Sequence, residues 1–154
     1  MFFKREFPAL ARSLAFVMGD ADLGADTAQE SFLRVFARWD RYASPEHARR
    51  SAIRIGMNLA RTRWRREHRI EVLADPAEES PRPDVVDRLV LGAAISGLSP
   101  RQRSCVVLVD YLGFTVAEAA RILRMIPSTV RVHLVRGRRR LAVTLQGSYL
   151  EERE

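Results

Sequence analysis

The chain of 154 residues carries 26 basic residues against 19 acidic ones, a net charge of +7, with 47% hydrophobic residues. That is apolar material for one ordinary domain or two small ones and too much for wholesale disorder, while no apolar run approaches the ~20 residues of a membrane span and no signal-peptide pattern opens the sequence. Cys105 is the only cysteine, which excludes internal disulfides and cysteine-rich metal sites and fits a reducing cytoplasm.

The basic balance points to polyanionic partners, and every basic residue but Lys4 is arginine. The charge is uneven. Met1–Arg69 holds 14 basic and 8 acidic residues, net +6; Ile70–Asp84 holds 1 and 5, net −4; Val85–Glu154 holds 11 and 6, net +5. Two basic blocks flank an acidic hinge.

A first helix is predicted over Arg5–Met18, with Phe7, Leu10, Leu14 and Val17 inward and Gly19 ending it. Pro8 requires that the helix begin near Phe7 or bend there. Asp20–Gly24 reads as a loop with capping residues. A second helix, about Asp26–Arg41, repeats Phe32, Val35, Phe36 and Trp39 at the spacing of a core stripe. Asp26, Glu30, Leu33 and Ala37 form another stripe, with Gln29 at its edge, about 120–150° away. A leucine among acids off the main apolar face suggests a partner surface; the alternative is a stray exposed leucine.

Ser44-Pro45-Glu46 introduces a third helix, about His47–His68. Arg50, Arg54, Asn58, Arg61 and Arg65 recur along one of its faces, with Ala52, Ile55 and Leu59 on a second and Ile53, Met57 and Trp64 on a third. Stacked like charges repel, and a phosphate backbone would relieve that repulsion with release of counterions. Asn58 can read a base edge and Trp64 offers a stacking plane for an unstacked base, with core packing the alternative for Trp64.

Ile70–Pro83 contains three prolines and most of the acidic excess, the composition of a linker. The second domain is expected to start near Asp84 with a helical face of Val86, Leu89, Val90 and Ala93 ending around Gly97. Ser99 to Gln102 is a capping box with proline at the first helical position, starting a helix with Cys105, Leu108, Val109 and Leu112 inward and Gly113 as its stop.

Thr115 and Glu118 form a second capping box, before Ala119, Ile122 and Leu123 on one apolar face. After a short turn, Pro127 suits the start of a final helix. Its core side holds Val130, Leu134 and Leu141, then Leu145, with small Gly137 between them; Ser128, Val132, Arg136, Arg139 and Arg140 face the other way. An arginine-studded face opposite a core face, after a short turn, is how a helix-turn-helix offers a recognition helix to the major groove; a solvated arginine face is the alternative. Glu151–Glu154 is expected to fray.

No strand pattern, repeat or Gly-rich phosphate loop is present. His47, His68 and His133 are dispersed without metal-spaced partners, and no nucleophile–base or paired-carboxylate arrangement falls at helical spacing. The expectation is a non-enzyme that needs no cofactor. Its fold is expected to be all-α, with a three-helix domain over 1–69, a linker over 70–83 and a helix-turn-helix domain over 84–148.

Over nearly its whole length the chain resembles the extracytoplasmic-function (group IV) class of bacterial RNA polymerase sigma factors. GDADLGADTAQESFLRVFARW and RIGMNLARTRWRRE look like the family's region 2, while GLSPRQRSCVVLVDYLGFTVAEAARIL and STVRVHLVRGRRRL are similar to region 4. The resemblance implies promoter recognition and transcription initiation, with RNA polymerase core and promoter DNA as partners and an anti-sigma factor as a possible regulator. By that resemblance Asp26, Gln29, Glu30 and Leu33 match the helix that grips the β′ clamp helices, and the second domain meets the β flap. Arg54, Asn58, Arg61, Trp64 and Arg65 match the −10-binding segment; Ser128, Arg131, Val132, Val135, Arg136 and Arg139 match the −35-reading helix.

The chain departs from the family at several of these places. Arg124 and Ser128 stand where glycine is usual, Val132 and His133 replace a serine and a basic residue, Thr27-Ala28 replaces an apolar pair, and Ala119 an isoleucine. If position 124 needs positive φ, arginine there costs about 1 kcal/mol. A stand-alone helix-turn-helix regulator is the alternative function.

Overall fold

The computed structural model describes residues 1–67 and 90–151. The linker expected over 70–83, His68, the start of the second domain at 84–89 and the terminal residues 152–154 lie outside the described residues. All regular structure among the described residues is helical, and none of these helices is long and apolar enough to cross a membrane. The chain divides into two compact units, Met1–Ala77 and Glu78–Glu154.

Unit one is a three-helix packing of α1 (Phe2–Met18), α2 (Ala21–Phe36) and α3 (Pro45–Glu67). α1 begins three residues earlier than the sequence suggests and carries Pro8 inside it. The Phe2 ring packs 5.2 Å from Trp39 and 5.9 Å from Phe32, and Phe3 lies 5.4 Å from Phe32. Burial of those two rings holds the first turn helical despite proline, whose missing N–H and the Lys4 carbonyl opposite it fall on exposed residues. Gly19 closes the helix in the left-handed region, at φ 69°.

α2 starts at Ala21, five residues before the expected Asp26, because Asp20 is its cap: Oδ1 accepts from the Leu23 N–H at 2.9 Å. The helix ends at Phe36, and Trp39–Arg41 forms a separate 3₁₀ turn. Phe32 and Val35 are buried as expected, whereas Phe36 and Trp39 stay partly exposed. Gly24, expected in a loop, lies within the helix where α1 crosses it. A Cβ there would stand 2.5 Å from the Ala15 nitrogen and 2.9 Å from the Ala11 carbonyl oxygen. The small Thr27-Ala28 pair is buried beside this close approach, and Ser13 and Ser31 turn their buried hydroxyls onto the Ala9 and Thr27 carbonyls. α3 is capped by Ser44, whose Oγ accepts from the His47 N–H. It buries Ala48, Ala52, Ile53, Gly56, Met57 and Ala60, while Ile55 and Leu59 are only half-buried. Arg49 ties α3 to Glu6 of α1.

In unit two, α4 (Val90–Ser96), α5 (Pro100–Val106) and α6 (Val116–Leu123) each pack on α7 (Pro127–Glu151). α4 buries Ala94 and Ile95, with Leu98 beyond its end, and leaves the expected core residue Ala93 exposed; the buried stripe that meets α7 runs one residue past the predicted one. Both arms of the Ser99–Gln102 capping box form. After Val106 the helix widens into a π turn over Val107–Tyr111, with the Leu112 N–H on the Val107 carbonyl. That inserted residue shifts the register: Cys105, Val106, Val107 and Leu108 are all buried, while the expected Val109 and Leu112 are half-exposed. Burial also raises the Cys105 thiol to about 11, which leaves it unreactive. Gly113, at φ 76°, ends the element.

Arg124 is the only non-glycine with positive φ among the described residues, at φ 54° and ψ 45°. The Met125 N–H reaches back to the Ala120 carbonyl, a helix end built for glycine. Arg124→Gly is expected to stabilise the second unit by about 1 kcal/mol, raising its thermal midpoint by about 4–8 °C. Arg124→Ala, which removes the charge and keeps the Cβ, is expected to give no such gain.

Candidate nucleic-acid interface

The helix-turn-helix is α6, a turn through Arg124–Ile126, and α7. Thr115 caps α6 with both arms of its box formed, 3.1 Å from Thr115 Oγ1 to the Glu118 N–H and 2.8 Å from the Glu118 carboxylate to the Thr115 N–H. Ala119, Ile122 and Leu123 are buried, as the spacing implies. On α7, Val130 and Leu134 are buried and Leu141 and Leu145 half-buried. Gly137 lets α5 approach closely: a Cβ there would lie 3.0 Å from Val106 Cγ2. This seam fixes which side of α7 remains outside. Ser128, Arg131, Val132, Val135, Arg136 and Arg139 are all exposed on that side, and Arg140 is exposed too.

His133 is half-buried at the edge of the face, its Nδ1 without a hydrogen-bond partner. Burial first, then the Arg101 and Arg136 charges, push its pKa below the usual histidine value, so the imidazole is neutral near neutral pH. Sequence reading did not single out Arg138. Its guanidinium grips Asp110 in the π turn at 2.7 and 2.9 Å, and that bond raises the Arg138 pKa. The pair spans 28 residues of chain, so no local pattern announces it. Being exposed, it contributes within about 1 kcal/mol, but it removes one arginine of α7 from the set available to a ligand.

In unit one the arginine stripe of α3 runs along the side opposite its buried Ala52, Gly56 and Ala60. Arg54 and Arg65 are exposed, while Arg50, Asn58 and Arg61 are half-buried, with Nε and Nη1 of Arg61 inside. Asn58 Oδ1 is buried without a hydrogen-bond partner, so reading a base edge requires that carboxamide to turn outward. Trp64 is 39% exposed near the end of the helix. The α2 stripe is also outside: Asp26, Gln29, Glu30 and Ala37 are exposed, and Leu33 is 60% exposed. Glu30 is paired with Arg34 one turn on. Among the described residues no cluster of three or more His, Cys, Asp or Glu side chains forms a metal site.

Comparison with known proteins matches both halves. The family Sigma-70, region 4, matches residues 88–141. An RNA polymerase sigma-E factor of Streptomyces avermitilis is 32% identical over 152 residues, which covers 94% of this chain and 83% of the relative. The ECF RNA polymerase sigma factor SigE of Mycolicibacterium smegmatis is 35% identical over 127 residues, 75% of this chain and 49% of its own. Among solved structures, the sigma factor RpoE of Bartonella quintana, in complex with the anti-sigma factor NepR, shares the fold at a TM-score of 0.70 and 21% identity, covering 94% of each chain. A stand-alone helix-turn-helix regulator does not explain a match to RNA polymerase sigma factors that continues through α1, α2 and α3. With a relative above 30% identity across both units, the chain belongs to the extracytoplasmic-function family of RNA polymerase sigma factors.

Proposed function

We propose that this sigma factor divides its work among three helix faces. The Asp26, Gln29, Glu30 and Leu33 face of α2 docks on the β′ clamp helices of core polymerase, with unit two on the β flap. The Arg54, Asn58, Arg61, Trp64 and Arg65 segment of α3 holds the −10 element. There the arginines follow phosphates and Trp64 stacks on a base taken out of the duplex. The Ser128, Arg131, Val132, Val135, Arg136 and Arg139 face of α7 enters the major groove at the −35 element. An anti-sigma factor, such as the RpoE relative binds, would act by covering these same faces. The chain itself performs no chemistry; it positions the polymerase.

The observation that carries this reading is the arrangement of α7. Six side chains that share its exposed face stand opposite a sealed Val130, Leu134 and Gly137 seam, the geometry that a recognition helix needs. Run-off transcription with core polymerase, with and without the chain, tests it: start-site choice is expected to follow the chain, and unchanged start sites refute the proposal. Arg136→Ala is expected to lower −35-dependent initiation about 5- to 150-fold, as loss of one bidentate base contact worth about 1–3 kcal/mol implies, while polymerase binding persists. If Arg136 touches only phosphate, all promoters weaken alike and the salt slope falls by about one. Equal loss of polymerase binding would refute the division of roles.

A further inference from the structure

Between Ser128 and Arg139, which lie on its midline, the exposed face of α7 carries two valines. At about 100° per residue, Val132 and Val135 each lie about 30° from the midline of the face, and Arg131 and Arg136 about 70° to either side. Val132 is 46% exposed and Val135 48% exposed. The fold is sealed on the opposite side, where Val130 and Leu134 are buried and Gly137 meets α5, and a β-branched residue in an exposed helix position lowers helix propensity. Two such residues side by side, rimmed by cations, are matched to a ligand that is apolar in the middle and anionic at the edges.

The major groove offers that combination at only one base. Thymine presents a 5-methyl group there, between two lines of phosphates. Val132 and Val135 fall in the second and third turns of α7, within the N-terminal part of a recognition helix that reaches base edges. They are offset by about 4.5 Å along the helix axis, comparable to the ~3.4 Å between successive nucleotides of a strand.

We propose that Val132 and Val135 read the 5-methyl groups of thymines on neighbouring base pairs of the −35 element, so that apolar contact between Ser128 and Arg139, rather than arginine alone, sets the sequence this chain selects. The inference rests on the −35 role proposed for α7. Arg131 and Arg136, at the rim, are left to hold the flanking phosphates or a guanine beyond the thymines.

The test uses holoenzyme assembled from the full chain and core polymerase. The preferred −35 element is first selected from duplexes randomised in that region, and each thymine is then replaced singly by deoxyuridine, which deletes only the methyl group. Promoter binding is expected to weaken about fourfold at two neighbouring base pairs, what burial of one methyl is worth. Val132→Ala is expected to abolish the penalty at one of them and Val135→Ala at the other. Alanine is the better helix former, so neither variant endangers the fold. A holoenzyme that selects start sites but is indifferent to every thymine methyl overturns this inference and leaves the proposed function standing. The same holds if the deoxyuridine penalties persist unchanged in both variants. A chain that directs no start site overturns both.

Discussion

Leu33→Asp is expected to weaken association with core polymerase more than a hundredfold while the chain keeps its fold. Leu33 is 60% exposed on α2, outside the Phe32 and Val35 seam, so in the free chain the substitution leaves that seam intact. Its cost there is the helix propensity of aspartate, about 0.6 kcal/mol. In the docked state the balance changes. The proposed contact would lose the burial of a leucine side chain, about 1.5–3 kcal/mol, and a carboxylate would be carried into an interface that already holds Asp26 and Glu30. Together these exceed about 3 kcal/mol, the size of an interface hot spot. Leu33→Ala, which removes only the burial, is expected to cost roughly tenfold. Helicity by circular dichroism should match the parent for both variants, and affinity for core polymerase is the discriminating measurement. Undiminished affinity in Leu33→Asp would mean that the leucine is a stray surface residue and that another face docks.

What the sequence disclosed about these faces follows from how far apart the relevant atoms lie along the chain. Capping boxes at Ser99 and Thr115 close within four residues, so both were legible and both form with each arm in place. The two sides of α7 were legible for the same reason, because Val130, Leu134 and Gly137 recur at a helical period. Positive φ at Arg124 is only a condition in the sequence, raised by the family's usual glycine, and the structure meets it at φ 54°. The failures share a different cause. The π turn at Val107–Tyr111 adds a residue to the helical register, and no periodicity argument anticipates an insertion. The Asp110–Arg138 grip joins residues 28 apart. The start of α1 depends on Phe2 and Phe3 finding Phe32, a tertiary contact that outweighs proline in the second turn.

Gly24 is the most informative of these failures, because its local chemistry and its tertiary role point in opposite directions. Asp20, Asp22 and Gly24 look like a loop, and a helix-breaking residue in the first turn strengthens that impression. The structure uses the absent side chain for a different end, bringing the α1 backbone against α2 until any Cβ would stand 2.5, 2.8 and 2.9 Å from backbone atoms of Ala15 and Ala11. Contacts that short are outside van der Waals tolerance, and no rotamer change relieves a clash with main chain. Gly24→Ala is therefore expected to destabilise the first unit by about 3 kcal/mol, the upper part of the range for overpacking, even though alanine is the better helix former by about 1 kcal/mol. The comparison is Gly56→Ala, where the nearest atoms are the ends of the Leu14 and Ser31 side chains at 3.0 Å; those can shift, and the loss is expected to be smaller. Chemical denaturation of the full chain resolves the two variants. If Gly24→Ala proves as stable as the parent, the axes of α1 and α2 are free to separate. The faces of α2 and α3 would then lack the rigid mutual placement that a single docking on polymerase and promoter requires.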